Sequence, residues 1–418
     1  MADTPAQLQD STAARDAEPA LIKRIRTVPS ATELERQALA HSLRIEHTPA
    51  LALAQQGLAL AERSRSAAQR SRAHALLAHL LTRAEDLGAA AGHARQAVEL
   101  AKATRGPQRP GLLAHAQLRL AGALVSTDAP AAAEAAQAAA PVFERLGEPV
   151  LQSQALRILG FVRMGQADTP AHRAIVEEAI ALARLAGDRA AEGRAISTLY
   201  QSDMDMAQRL RGLNEALACY IAAGDRQLES IAYHNLSLTY GRLGLYRRAA
   251  RLIRRSIAMR QDQYRQRPAS AVNPWAIVCI LECNAGHEAV AREALAQAQH
   301  AHRADPQPAG ERLLRWFEPI VRTSFEAPSR RTVAALRRGA WSGMPTWVRP
   351  RLERDVASAQ SDLGQHRAAL RTARQAGASL QRLVGVSGGG THSNASVHWQ
   401  QARAALRSEE HTSELQSL

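Results

Sequence analysis

Residues 231–260 read IAYHNLSLTYGRLGLYRRAARLIRRSIAMR, and this stretch decides the fold. Tyr233, Leu236 and Tyr240 fall at i, i+3 and i+7, which is one face of a helix. A second helical face follows, formed by Ala249, Leu252, Ile253 and Ile257. Gly244 lies between the two, where a helix must end and the chain reverse, because glycine adopts left-handed backbone angles without steric cost. Such a helical hairpin cannot bury both of its faces alone, so we expect similar units beside it.

Earlier parts of the chain repeat this pattern around four turns that contain Gly106, Gly147, Gly187 and Gly224, at spacings of 41, 40 and 37 residues. An alanine lies eight residues after each of these glycines and a leucine lies twelve residues after each. These residues are Ala114, Ala155, Ala195 and Ala232, and Leu118, Leu159, Leu199 and Leu236. The alanine fits a point of close helix approach, and the leucine fits the layer beneath it.

This pattern resembles the tetratricopeptide (TPR) repeat, which combines an early aromatic, a leucine, a turn glycine and small residues in its second helix. The residues that carry the resemblance, and that we expect to pack between repeats, are Tyr233, Leu236, Tyr240, Gly244, Ala249, Trp275, Gly286, Ala291, Gly364 and Ala369. The glycine spacings exceed the standard TPR period of about 34 residues. The chain therefore looks most like the long, degenerate TPRs of MalT-like regulators and of bacterial signalling proteins with a C-terminal output domain.

The resemblance implies an all-α fold, a right-handed α–α superhelix of about eight helical hairpins plus an N-terminal capping hairpin. The repeat units are predicted at 69–105, 110–146, 150–186, 190–223, 228–262, 273–303, about 310–340 and 346–381. Within the capping hairpin, Thr48 and Pro49 predict an N-cap followed by proline at the first helical position. Residues 304–312, ADPQPAGER, predict a loop between repeats.

Composition and sequence pattern divide the chain into five segments. Residues 1–32 lack helical periodicity and are predicted to be a disordered arm, followed by the helical repeat domain at 33–383. Residues 384–396, VGVSGGGTHSNAS, predict a Gly/Ser linker. Residues 397–406 begin a further helical pattern, which we interpret as the start of a truncated output region. Residues 407–418 contain RSEEHTSELQS, which matches one translated frame of a widely used sequencing adapter, so we interpret them as an artefact.

The chain is strongly basic, with 53 Lys and Arg against 39 Asp and Glu and a net charge of +14. Only Lys23 and Lys102 are lysines. One interpretation is the coding bias of a GC-rich genome. The other is a basic surface for an acidic protein or peptide, for nucleic acid or for anionic lipid. Aromatic residues make up only 4% of the chain, which leaves little material for stacking bases, so nucleic acid is the less favoured partner.

Three cysteines without framework spacing, Cys219, Cys279 and Cys283, favour reduced thiols and a cytoplasmic protein. The first 20 residues contain no apolar segment typical of a signal peptide, and no run of apolar residues is long enough to span a membrane. We therefore expect no membrane association. The sequence does not determine the oligomeric state.

No motif for catalysis or cofactor binding occurs, so we expect no enzyme activity from these residues and no cofactor. Cys279, Cys283 and His287 are spaced at i, i+4 and i+8, which on one continuous helix would suit a soft metal. Gly286 is expected to end that helix first, so we interpret the two thiols as core residues and predict no metal site.

The main surface feature is a basic face near residue 250, where we place the partner contact: Arg247, Arg248, Arg251, Arg254 and Arg255. The predicted function is a non-catalytic scaffold whose superhelix binds a peptide or a partner domain. The alternative is the sensory half of a bacterial signalling protein whose output domain is missing. That output domain would be a nucleotide or diguanylate cyclase, a kinase or a MalT-like regulator.

Overall fold

The computed structural model describes residues 30–165, 169–201, 205–327, 329–339 and 349–387. Within these ranges the chain forms nineteen helices and no strands, as the periodicity predicts. None of these helices is long and apolar enough to cross a membrane. The predicted output-region helix at 397–406 and the adapter-like residues lie outside the described ranges.

The first six hairpins pair consecutive helices of similar length. Their helices are α1 Ala31–Leu43, α2 His47–Arg63, α3 Ala67–Arg83, α4 Leu87–Ala103, α5 Arg109–Leu124, α6 Ala129–Leu146, α7 Pro149–Gly165, α8 Thr169–Leu185, α9 Arg189–Gln201, α10 Met206–Ala222, α11 Arg226–Arg242 and α12 Tyr246–Met259. A short helix then leads to three more hairpins. These comprise α13 Gln261–Gln266, α14 Ala269–Ala285, α15 Glu288–Ala304, α16 Pro308–Phe325, α17 Arg330–Gly339, α18 Arg349–Asp362 and α19 His366–Ser387.

Turns between helices use the left-handed conformation that the glycines predict. Gly244 has φ +76° and separates α11 from α12, while Gly286 and Gly364 end α14 and α18 in the same way. The amide of Leu245 donates to the carbonyl oxygen of Tyr240 at 3.0 Å, which satisfies a carbonyl left free at the end of α11. These turns set the antiparallel hairpin that is the unit of the fold.

Small residues form the contacts between hairpins. Ala114, Ala155, Ala195 and Ala232 are each 2% exposed or less, and the leucines one turn later are buried or half-buried in the same or the adjoining cluster. The remaining core is mostly alanine with few large side chains. Close packing of small side chains brings helix axes near each other, because backbones then meet with only a methyl group between them.

The superhelix curves so that the first helix of each hairpin lies on its inner, concave side. Helices α3, α5, α7, α9 and α11 contact one another in that order, in addition to contacting their hairpin partners. The second helices contact mainly the first helices on either side. Because neighbouring units are closest on the inside of a curve, the first helices line the concave side.

Four local predictions need correction. Helix α2 begins at His47 with Glu46 as its N-cap residue, so Thr48 and Pro49 lie in its first turn. Proline is tolerated there because first-turn amides have no partner within the helix. The predicted loop at 304–312 is reduced to 305–307, since Pro308 begins α16. Residues 384–387 of the predicted linker belong to α19, and residues 31–32 of the predicted arm belong to α1.

Candidate protein-interaction site

The inner face of the superhelix is the solvent-facing side of α3, α5, α7, α9 and α11, and it carries basic side chains. Arg119 on α5 lies at its centre, half-buried. Its guanidinium donates to Nδ1 of His79 on α3 at 3.4 Å and to Nε2 of His115 at 3.3 Å. Burial, and next the charge of Arg119, lower the pKa of His115 to about 3 and hold the pKa of His79 well below its usual value. Both rings are therefore neutral at pH 7 and accept hydrogen bonds from the arginine.

Arg157 on α7 and Arg194 on α9 continue this surface, and with Arg119 they form the inner arginine cluster. Burial and the charge of Arg194 lower the pKa of both Arg119 and Arg157 to about 10. Burial, and next the charge of Arg83, also lower the pKa of Arg194. Burial is the first cause of each shift and the charge of another arginine is the second, as expected for cations that share a poorly hydrated face.

Within the described residues, no carboxylate forms an ion pair with Arg119, Arg157 or Arg194. The Nε atoms of Arg119 and Arg157 are buried without a hydrogen-bond partner, and the Nε of Arg194 donates only to the carbonyl oxygen of Ala190 at 3.3 Å. The negative charge of Glu35 on α1 acts in the opposite direction and raises the pKa of Arg119, but it is the weakest of the causes. The cluster is therefore a positive site without a direct ion pair within the described fold, although the charges of Asp225 and Asp188 act favourably on Arg194.

A closing contact joins α3 back to α11 across four hairpins. The guanidinium of Arg83, at the end of α3, binds both carboxylate oxygens of Asp225 at 2.9 and 3.0 Å. Asp225 is 1% exposed and also caps α11 by accepting from the amide of Leu228 at 3.1 Å. Gln227 donates to the carbonyl oxygen of Arg83 at 2.5 Å. This contact completes one turn of the superhelix, so the inner faces of α5, α7 and α9 lie within a closed ring.

Two further ion pairs extend the closing contact to α13. Glu85 bonds to Arg260, and Asp86 lies 2.8 Å from the guanidinium of Arg267. Glu85 has φ +64° at the turn between α3 and α4, the place where the α11–α12 turn has Gly244. A glutamate costs conformational energy there, and its carboxylate provides a contact that glycine cannot make.

Neither the family models nor the curated protein sequences gave a match to this chain. Solved structures with a similar fold do exist. The Rap protein complexed with competence and sporulation factor has 13% identity and a TM-score of 0.58, over 85% of this chain and 99% of that one. The apo quorum sensor NprR from B. thuringiensis has 10% identity and a TM-score of 0.54, over 83% and 97%. Aspartyl phosphate phosphatase F from Bacillus subtilis has 12% identity and a TM-score of 0.54, over 85% and 95%.

The chain folds as a TPR-like helical solenoid. Of the residues that carry the TPR resemblance, the three glycines lie in turns and the others are buried or half-buried. Tyr233, Leu236 and Tyr240 are buried on α11, and Trp275 packs half-buried on the core of the following hairpin. The alanines named with them are fully buried: Ala249, Ala291 and Ala369.

The arginines proposed from the sequence lie on α12, a second helix of the solenoid, away from the inner face. Arg254 pairs with Glu282 at 2.6 Å, and Arg255 pairs with Glu229 at 3.6 Å while lying over the ring of Tyr233. Arg248 lies over the ring of Tyr240 at 4.2 Å. Arg247 and Arg251 are exposed. Three of the five therefore already have partners inside the solenoid, and their role in partner binding stays a prediction.

Cys279 and Cys283 are buried in the core of α14, while His287 lies beyond the end of that helix. The ring of His287 bonds Glu282 at 2.7 Å, across the turn at Gly286. Trp316 is buried against α17 and α18.

The sequence does carry a signal for the inner arginine cluster. Arg119 lies 13 residues after Gly106, Arg157 lies 10 after Gly147, and Arg194 lies 7 after Gly187. Each step moves the arginine three residues toward the start of its helix, which keeps it on the same helix face. Fixed offsets from the turn glycines do not reveal this series, because its offset changes from one hairpin to the next.

Proposed function

We propose that this solenoid is a protein-interaction scaffold that holds an extended segment of a partner protein along its inner face. It acts by binding and carries no catalysis in the residues described. The observation that carries the proposal is that Arg119, Arg157 and Arg194 lie half-buried on the inner face and form no ion pair within the described residues. Basic composition alone says little in a chain so rich in arginine, but cations partly removed from water on one concave face are costly until a partner completes the surface.

Several outer arginines are compensated by local acids, whereas others, such as Arg95 and Arg247, are exposed and form no ion pair within the described residues. Arg184 binds Glu192 and Glu215, and Arg292 binds Glu288 and Glu326, all within 2.9 Å. A coding bias toward arginine would fill both sides of the solenoid without regard to pairing. Cationic groups that converge on a concave face without acids instead suit a surface that a partner completes.

The fold supports the same conclusion. A curved stack of hairpins presents a long continuous inner surface, which suits an extended chain better than a compact small molecule. Among structures of similar fold, one is a complex with a competence and sporulation factor and another is a quorum sensor. From these two structures we extend to this chain only the use of the solenoid for binding.

Selection of linear peptides from an unbiased display library, followed by hydrogen-exchange mass spectrometry of the complex, tests this proposal. We expect selected peptides to slow amide exchange in α5, α7 and α9 and to leave α12 unchanged. Protection confined to α12 would instead place the partner on the arginines proposed from the sequence. If no peptide binds above background, the scaffold proposal is wrong.

A further inference from the structure

We infer that the inner arginine cluster is a carboxylate-binding site, and that the partner segment held by this solenoid is acidic. The inference rests on the proposed function, because it assumes that a polypeptide segment enters the inner face. It adds the chemical class of that segment and the residues that select it, Arg119, Arg157 and Arg194.

Like charges that converge without counterions destabilise a fold. The three guanidiniums come from successive first helices, and burial together with mutual repulsion lowers the pKa of each. The buried apolar contacts between α5, α7 and α9 are made by alanine, isoleucine and leucine, although Arg119 also links α5 to α3 through its hydrogen bond to His79. An arriving anion would relieve the repulsion, so the cluster is already arranged for one.

Hydrogen bonding also indicates an absent acceptor. The Nε–H groups of Arg119 and Arg157 are buried and have no acceptor among the described residues. An anion seated at Arg119 and Arg157 would give these two donors an acceptor; the Nε of Arg83 is open in the same way although its Nη atoms hold Asp225.

The same face already contains one seated carboxylate. Asp225 binds Arg83 with two hydrogen bonds of 2.9 and 3.0 Å, and its charge opposes the lowering of the pKa of Arg194. Asp225 therefore shows how a carboxylate sits on this surface, and a second one placed on Arg119 or Arg157 would continue the row. The flat guanidinium pairs with a carboxylate through two parallel bonds.

The spacing of the helices suits an extended acidic segment. Packed helix axes lie about 8–10 Å apart. An extended chain rises about 3.1–3.3 Å per residue, so side chains three residues apart are separated by about 9–10 Å. Acidic residues at every third position would meet successive arginines on α5, α7 and α9. A single small anion could engage only part of the row.

The test uses fluorescence anisotropy with a labelled peptide of repeated Glu-Gly-Ser and a matched peptide of repeated Gln-Gly-Ser. The acidic peptide is expected to bind at low salt, and the neutral one is not. Arg119→Gln with Arg157→Gln should weaken binding by about tenfold or more, because charge-assisted hydrogen bonds are lost. The matched control, Arg95→Gln with Arg145→Gln on the second helices α4 and α6, removes the same charge from an exposed surface and should change the affinity by less than about twofold.

Several outcomes would overturn the inference. Equal weakening by the control pair would mean that binding follows net charge alone. Competition by millimolar inorganic phosphate, with no binding of the acidic peptide, would mean a small-anion site. Preferential binding of a single-stranded oligothymidylate would mean a nucleic-acid site. If library-selected peptides bind the inner face without enrichment of Asp or Glu, the scaffold proposal stands and this inference is wrong.

A stability readout separates binding from folding defects. Because the three charges repel one another, Arg157→Gln is expected to raise the melting temperature of the free protein by a few degrees. The acidic peptide should raise the melting temperature of the wild type but not that of Arg119→Gln with Arg157→Gln. A lowered melting temperature for Arg157→Gln would mean that the arginine stabilises the fold, and it would count against a site kept for a ligand.

Discussion

At the scale of single residues, two helical glycines have opposite surroundings. Gly160 lies on α7, and a Cβ atom placed there would lie 2.2 Å from a methyl group of Val176 on α8. Gly122 lies on α5, and a Cβ atom there would meet nothing within 4 Å. Close approach of α7 and α8 therefore requires glycine at 160, whereas position 122 has no such requirement.

We expect Gly160→Ala to destabilise the protein by about 1–2 kcal/mol, since the overlap with Val176 outweighs the better helix propensity of alanine. Gly122→Ala is the matched control and should stabilise by about 0.5–1 kcal/mol. Urea denaturation measures both changes. In a Val176→Ala background, Gly160→Ala should destabilise the protein less than it does in the wild type. Equal stabilities for the two single variants would show that α7 and α8 are not in close contact.

At the scale of helices and hairpins, small residues determine how closely consecutive units approach. Ala232 on α11 is 2% exposed and lies in the same core cluster as Cys219 and Tyr220 of α10. A larger side chain has no space at this junction unless the two helices separate.

Ala232→Trp should therefore lower the melting temperature by several degrees, because overpacking a helix junction commonly costs about 1–3 kcal/mol or more. Ala258→Trp, at an exposed position of α12, is the control and should leave the melting temperature nearly unchanged. Thermal unfolding followed by circular dichroism measures both. An unchanged melting temperature for Ala232→Trp would mean that α10 and α11 pack through other residues at this junction.

At the scale of the whole molecule, the closing contact links residues more than a hundred positions apart. Arg83 and Asp225 are 10% and 1% exposed as side chains, so their charges are largely removed from water. Removing one member of a buried pair leaves the other charge uncompensated, which typically costs about 3–5 kcal/mol.

Asp225→Ser tests the closing contact while keeping the helix cap, because serine caps helices well. We expect a loss of several kcal/mol of stability and faster hydrogen exchange both at the start of α11 and at the distant turn after α3. Adding Arg83→Met should recover part of the loss by removing the unpaired charge. Faster exchange at α11 alone would mean that the contact does not hold the ring closed.

The closing contact also makes stability depend on pH through His47. This side chain is 4% exposed, and burial, followed by the charges of Arg83 and Arg260, lowers its pKa to about 4. The unfolded chain, with a pKa near 6.5, therefore binds a proton before the folded chain does. The free energy of unfolding should fall as pH drops below about 6.5, and this contribution should level off near pH 4.

His47→Gln should reduce the slope of stability against pH in that window by up to about 1.4 kcal/mol per pH unit, the value for one proton. Urea denaturation at several pH values between these limits measures the slope. His115 and His234 have lowered pKa values in the same direction, so the variant should keep part of the dependence. An unchanged slope would mean that His47 does not stay neutral in the folded protein.

The sequence by itself determined the repeating unit, because its signals are local. Helical periodicity, the turn glycine at 244 with its positive φ and the alanines at fixed offsets act within one hairpin or between neighbours. Tertiary structure alone decided which face lies inside, and that Arg119, Arg157 and Arg194 converge there. It also decided that Arg83 reaches Asp225. Curvature is the sum of small rotations at every junction, so contacts four hairpins apart depend on all the packing between them. No local pattern specifies that sum.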